Sequence, residues 1–264
     1  MDLQLKGKRA LVSGSSAGIG FAIAKALALE GASVFVNGRS AVRTKVAAKT
    51  ITDSGATSPV YPFVGDLSHA TDIERLSAEV PDLDILVNNL GIYEPKPFEA
   101  ITDEDWLRFF DVNVLSGIRL SRMYLPGMKT RNWGRIVFIS SESAVNIPVE
   151  MIHYGMTKTA QLAISRGLAE TTAGTGVTVN SVLPGPTRSE GVNDFVSKMA
   201  HDKGVSPAKI EEDFFKTVRP SSLLKRFATC DEVAAMVAYV CSPLASATNG
   251  AALRADGGVV RSIL

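Results

Sequence analysis

Residues 8–20 read Lys8-Arg9-Ala10-Leu11-Val12-Ser13-Gly14-Ser15-Ser16-Ala17-Gly18-Ile19-Gly20, and Phe21 to Glu30 continue with helical composition. An apolar run, a glycine-rich turn and a helix make one βα unit. Gly14 permits a tight turn, Gly18 lets a phosphate approach the backbone, and Gly20 lets the helix lie close on the strand. The helix start offers unpaired N–H groups to a pyrophosphate. Glycines are common in ordinary strand-to-helix turns, and the Gly-x-x-x-Gly-x-Gly spacing here differs from the usual Gly-x-Gly-x-x-Gly. Its place in the first βα turn, after a strand of buried type, favours dinucleotide binding.

Outward from that unit, short apolar runs alternate with amphipathic segments. Strands are predicted at 8–13, 33–37, 59–65, 84–88, 134–140, 177–182 and 251–254, and helices near 19–30, 41–54, 69–79, 103–130, 151–173 and 230–242. Several strand runs are continuously apolar, as when both faces of a parallel sheet are covered. The pattern predicts an α/β fold: a doubly wound, seven-stranded parallel sheet of Rossmann type in three α/β/α layers. No linker, repeat or charge block divides residues 1–264, so one domain is expected. In such sheets ligands bind beyond the carboxyl ends of the strands.

Composition narrows the function. The formal net charge is +1, which argues against a nucleic-acid or anionic-membrane partner. Only Cys230 and Cys241 are present, without metal-ligand spacing, so a reducing compartment and no metal site are expected. With no run of 18 apolar residues and no secretory leader, a soluble cytoplasmic protein is expected.

Residues 154–158 read Tyr154-Gly155-Met156-Thr157-Lys158, with Ser140-Ser141 upstream at the end of an apolar run. Four apart on a helix, Tyr154 and Lys158 share a face. A phenol has an ordinary pKa of about 10, and a neighbouring ammonium favours its ionised form. Such a phenol can protonate a carbonyl oxygen or take a proton from an alcohol. Most Tyr-x-x-x-Lys pairs are merely exposed helix residues, so the other motifs decide.

Together these motifs resemble the short-chain dehydrogenase/reductase family, in its single-domain branch, from Leu5 to the C-terminus. The turn begins with Ser13 where that branch usually has Thr, and Ser13, Gly14, Ser16, Gly18, Ile19 and Gly20 are its cofactor-binding positions. Asp66-Leu67 matches the pair that contacts the adenine ring. Asn88-Asn89-Leu90-Gly91 matches an Asn-Asn-Ala-Gly motif, which makes Asn89 and Gly91 cofactor contacts and leaves Leu90 as the departure. Asn113 falls on the family's helix asparagine, which would hold a water linking Lys158 to solvent; the plainer reading is a polar group bonded to backbone at a kink. Ser141, thirteen residues before Tyr154, rather than Ser140, takes the catalytic serine's place. Pro184, Gly185 and Thr187 match the segment that contacts the nicotinamide carboxamide. The resemblance implies Asn113, Ser141, Tyr154 and Lys158 as catalytic residues, with Tyr154 and Lys158 also touching the cofactor. It also implies a tetramer packed through the helices at 103–130 and 151–173, with Ile263-Leu264 at a second interface.

The second strand ends Asn37-Gly38-Arg39-Ser40, where an NAD enzyme usually has an acid for the ribose 2′-hydroxyl. Without that acid, Arg39 can bind a 2′-phosphate through paired hydrogen bonds and Ser40 can add a hydroxyl, which favours NADP(H) over NAD(H). Arg39 is otherwise a solvated loop residue, and Ala17 stands where a basic residue often accompanies that preference. A substrate-loop insertion is expected at about 188–226, its apolar Phe195, Met199, Phe214, Phe215 and Leu223 forming a lid, a resting helix pair, or both. Glu142, His153 and Arg188 are candidate substrate contacts, each more often a packing or solvent-facing residue. His69, His201, Trp106 and Trp133 read as surface or packing residues. The leading expectation is NADPH-dependent reduction of a ketone or aldehyde, such as a 3-oxoacyl thioester or small carbonyl compound. The alternative is NAD(P)-dependent oxidation of a secondary alcohol, polyol or sugar-derived substrate. A non-catalytic dinucleotide sensor stands well behind, because no catalytic group is missing.

Overall fold

The structure, a computed structural model, describes residues 2–263, the side chain of Phe195 excepted. Its centre is a seven-stranded parallel sheet of β1 (Arg9–Val12), β2 (Ser33–Gly38), β3 (Val60–Val64), β4 (Ile85–Asn88), β5 (Gly134–Ile139), β6 (Val177–Pro184) and β9 (Ala252–Ala255). The strand order is β3-β2-β1-β4-β5-β6-β9, so the chain winds outward from β1 in one direction and from β4 in the other. Alternation within a strand feeds two cores. Ala10 and Val12 face a cluster with α1 (Gly18–Leu29), α2 (Ala41–Asp53) and α9 (Cys230–Val240). Leu11 faces the opposite cluster with α3 (Ala70–Glu79), α5 (Ser116–Thr130) and α6 (Ile152–Glu170). Every residue of β5 and β6 is buried, including the polar Thr178, Asn180 and Ser181 of β6.

Two features depart from the expected pattern. The segment 103–130 is not one regular helix: α4 (Asp103–Phe110) passes through a wide π turn at Asp111–Leu115 into α5. The extra residue re-aims the carbonyls of that turn, and Asn113 sits inside it. The stretch after β6 forms β7 (Thr187–Arg188), α7 (Glu190–Lys203) and α8 (Pro207–Thr217), and β7 pairs with β8 (Ala228–Thr229) in a separate two-stranded sheet. Ser189 and Ser206 cap the two helices by accepting from Val192 and Lys209 N–H, and Gly204, at φ 62°, ends α7 in the left-handed conformation that favours glycine. Val196, Ala200, Ile210, Phe215 and Phe227 make a core of their own, so this is a helix pair with its own packing. Leu264 and the side chain of Phe195, both assigned roles above, lie outside the described residues.

Candidate active site

The glycine turn leaves β1 at the carboxyl edge of the sheet and is pinned from three sides. Gly14 and Gly18 adopt φ of 60° and 59°, conformations that favour glycine. A Cβ on Gly20 would lie 2.4 Å from Asn89 Nδ2 and 2.6 Å from the Gly14 carbonyl, so helix α1 reaches the strand only because no side chain intervenes. A Cβ on Gly14 would lie 3.3 Å from Leu90, which explains how the larger Leu90 is accommodated. Asn89 donates to the carbonyls of Ser13 (2.9 Å) and Gly14 (3.0 Å), and Asn37 Oδ1 accepts from Gly14 N–H (3.0 Å). Ala17 provides no side-chain cap and the first turn of α1 holds no acid, so its leading N–H groups are left for an anion.

From that turn a groove of about 600 Å³ runs past Asn89 and Gly91 to Ser141, Tyr154, Lys158 and the Pro184–Thr187 segment. At the end of β2, a Cβ on Gly38 would fall 2.6 Å from Thr44 Oγ1 and 2.9 Å from Ser16 Oγ, so a side chain there requires those groups to shift. Arg39 is largely exposed and lies 3.7 Å from Asp66. Burial opposes ionisation of Asp66, but hydrogen bonds from Ser68, with help from Arg39 and His69, hold its carboxyl below the usual range. Ser40 caps α2 by accepting from Arg43 N–H. The open helix start, the sterically required glycines and the guanidinium groups of Arg43, which borders the groove, and of Arg39 fit a dinucleotide.

The reactive groups gather where β5 ends. Ser140 is buried and donates to the Lys158 carbonyl (2.9 Å), fixing α6. The Ser141 hydroxyl instead accepts from Ser143 N–H (3.1 Å) and hydrogen-bonds the Tyr154 phenol. Burial raises that phenol to about 12, outweighing the Ser141 hydrogen bond, while the Glu142 charge also raises it. Burial lowers Lys158 to about 7. Lys158 Nζ donates to the Ile139 carbonyl (2.9 Å) and to Gln161 Oε1 (3.4 Å), 5.6 Å from the Tyr154 ring centroid. The shared helix face is as expected, and burial of the phenol outweighs the influences that lower it. A second cavity, about 480 Å³, opens on the other side of Ser141 and Tyr154 under α7 and α8.

Residues 8–200 match the short chain dehydrogenase family. The chain belongs to that family. This dehydrogenase is 46% identical to the oxidoreductase YvaG of Bacillus subtilis over 100% of both chains. It is 33% identical to the D-beta-hydroxybutyrate dehydrogenase of Cupriavidus necator over 97% of this chain and 99% of that one. Among solved structures it superposes on L-sorbose reductase of Gluconobacter frateurii, complexed with NADPH and L-sorbose, at TM-score 0.93 and 28% identity over 100% of each chain. It is therefore an oxidoreductase of carbonyl and alcohol groups with a Rossmann-type fold. No described helix is long and apolar enough to cross a membrane.

Several assigned residues do other work in this dehydrogenase. Ser13 is buried; its hydroxyl accepts from Asn89 and Leu90 N–H (both 3.0 Å), tying β1 to the end of β4 rather than facing the groove. Leu67 is fully buried in the core, leaving only backbone to meet an adenine. Asn113 accepts from Ile92 N–H (2.7 Å) and donates to the Ile92 carbonyl and Thr157 Oγ1 (3.0 Å each). Its own carbonyl accepts from Gln161 Nε2 at 2.6 Å, and Gln161 Oε1 accepts from Lys158 at 3.4 Å, so a glutamine amide joins Asn113 to Lys158. Arg188 does not face the cavity: it pairs with Glu211 and lies over the Phe227 ring. His153 is fully buried against Phe109, lines neither cavity, and has no hydrogen-bond partner on either ring nitrogen. Glu142 does line the substrate-side cavity, paired with Arg219 (2.9 Å). Gln161, Asn37 and Arg219 were missed; of these only Gln161 left a trace, three residues beyond Lys158 on the same helix face.

Proposed function

We propose that this dehydrogenase reduces a ketone or aldehyde to an alcohol with NADPH. The observation that carries the reading is that Ser141 and Tyr154 line both cavities, so one carbonyl can meet their hydroxyls from one side and a nicotinamide from the other. The cofactor supplies the hydride. With a phenol near 12, Tyr154 is protonated at neutral pH and enters the reaction as an acid toward the developing alkoxide. Ser141 donates to the same oxygen and holds it beside the phenol. Lys158 steadies the phenol's electrostatics and reaches into the groove where a ribose would lie, and Asn113 with Gln161 holds Lys158 in place. Ser16, Gly18, Ile19, Gly20, Asn89, Gly91, Pro184, Gly185 and Thr187 border the dinucleotide, and Arg39 with Ser40 receives the 2′-phosphate. That last contact and the lack of an acid at Gly38 favour NADPH over NADH.

Oxidation of nicotinamide against a carbonyl panel, with NADPH and NADH in parallel, tests this for wild type and Tyr154→Phe. NADPH-dependent turnover that vanishes in the variant, with NADPH binding retained, is expected; turnover that survives it sinks the assignment. A cytoplasmic homotetramer is the assembly that goes with this reading, and a sedimentation run finding monomer alone removes the tetramer.

A further inference from the structure

The substrate-side cavity has an uneven chemistry. One wall comes from α7, α8 and β8's approach: Val192, Val196, Met199, Ile210, Phe214 and Phe227. Its volume, about 480 Å³, suits a medium-sized organic molecule rather than the smallest ketones. The opposite wall, next to Ser141, holds charge. Among the described residues bordering the cavity three are acids, Glu142, Glu150 and Asp213, and two are bases, Lys203 and Arg219. Lys203 sits exposed on the last turn of α7, so Arg219 is the cation nearest the reacting groups.

Arg219 is already committed. Its Nε donates to Glu142 Oε1 at 2.9 Å, and its Nη1 donates to the Val218 carbonyl at 3.1 Å and lies 3.6 Å from Glu150. One guanidinium therefore serves two carboxylates. Glu142 Oε2 is buried without any hydrogen-bond donor. A third carboxylate brought beside this cluster would meet net negative charge while losing its own water. An uncharged group loses nothing comparable, and an apolar body gains burial against α7 and α8.

We propose that the cavity selects uncharged carbonyl compounds with an apolar body and rejects carboxylates, with Glu142 and Glu150 as the specificity-determining residues. The inference rests on the reductase reading of the same site. It separates this chain from its relative named for hydroxybutyrate, whose substrate is itself a carboxylate. Repulsion between two carboxylates about 6 Å apart in a half-wet cleft corresponds to roughly a tenfold loss of affinity.

The test uses two ketones of matched length, 2-octanone and 7-oxooctanoate, with the full-length enzyme. kcat/KM with NADPH is measured for each, and calorimetric affinity for each in the presence of NADP+, which needs no turnover. At least a tenfold preference for 2-octanone is expected in both readouts. Glu150→Lys, at a half-exposed position where the fold tolerates change, should raise the 7-oxooctanoate values severalfold relative to those for 2-octanone. Glu142→Gln should narrow the preference too. Equal or better binding of 7-oxooctanoate, a preference unmoved by Glu150→Lys, or binding of neither ketone overturns the inference. Failure of the reductase reading looks different: 2-octanone binds with the expected preference, yet NADPH is never oxidised or Tyr154→Phe oxidises it equally well.

Discussion

Replacing Gln161 with Leu probes the bridge between Lys158 and the π turn. Gln161 is buried; its Nε2 donates to the Asn113 carbonyl at 2.6 Å and its Oε1 accepts from Lys158 at 3.4 Å. Leucine keeps the volume but leaves the Asn113 carbonyl without that donor, a buried loss of about 1–3 kcal/mol. For a chain of this size that lowers the melting temperature by roughly 2–4 °C per kcal/mol. The second consequence has a definite sign. Lys158 is already lowered to about 7 by burial, and removing an acceptor disfavours the ammonium further. If the charged form supports reduction, the fall of kcat/KM with rising pH moves to lower pH in Gln161→Leu, by less than about one unit given the long 3.4 Å contact. Gln161→Glu places a carboxylate beside the ammonium and moves the same limb to higher pH. Full pH profiles of kcat/KM, which report the free enzyme, read both shifts. A purely structural glutamine would lower stability in both variants and leave the limb unmoved; that result, or two shifts of the same sign, refutes the reasoning.

Arg39→Ala should weaken NADPH roughly tenfold, the scale of a lost charge-assisted hydrogen-bonded pair, and leave NADH unchanged; equal effects on both by fluorescence titration would count against the 2′-phosphate contact. Gly20→Ala should cost about 1–3 kcal/mol in urea unfolding and weaken either cofactor, because its Cβ would lie 2.4 Å from Asn89 Nδ2 and 2.6 Å from the Gly14 carbonyl. His153 titrates below its ordinary 6.5, chiefly through burial. The unfolded chain therefore binds that proton first as pH falls, so the stability it allows is complete above about 6.5 and declines below. His153→Phe should flatten urea midpoints measured between pH 5 and 7.5, and an unchanged slope would show that other groups set it.

What was legible before the structure follows from what a local pattern can encode. The β1 turn and the Tyr154–Lys158 face are written within a few residues of one another, and the apolar run of β5 reports burial on both sides directly. The parallel, doubly wound sheet follows once the alternation is read; the order of its seven strands came from the structure. Other contacts are set by elements brought together only by folding. Arg219 reaches Glu142 across 77 residues, and Gln161 meets the Asn113 carbonyl across 48. The π turn at Asp111–Leu115 was legible only through Asn113, read as a polar group bonded to backbone at a kink, as its bonds to the Ile92 backbone show. Spacing placed the Lys158 ammonium beside Tyr154, and that was right; it could not say which acceptors the ammonium would take, and these decide the electrostatics. The Ile139 carbonyl and Gln161 Oε1 take the protons of Lys158, and the first reaches it only once β5 and α6 are packed together.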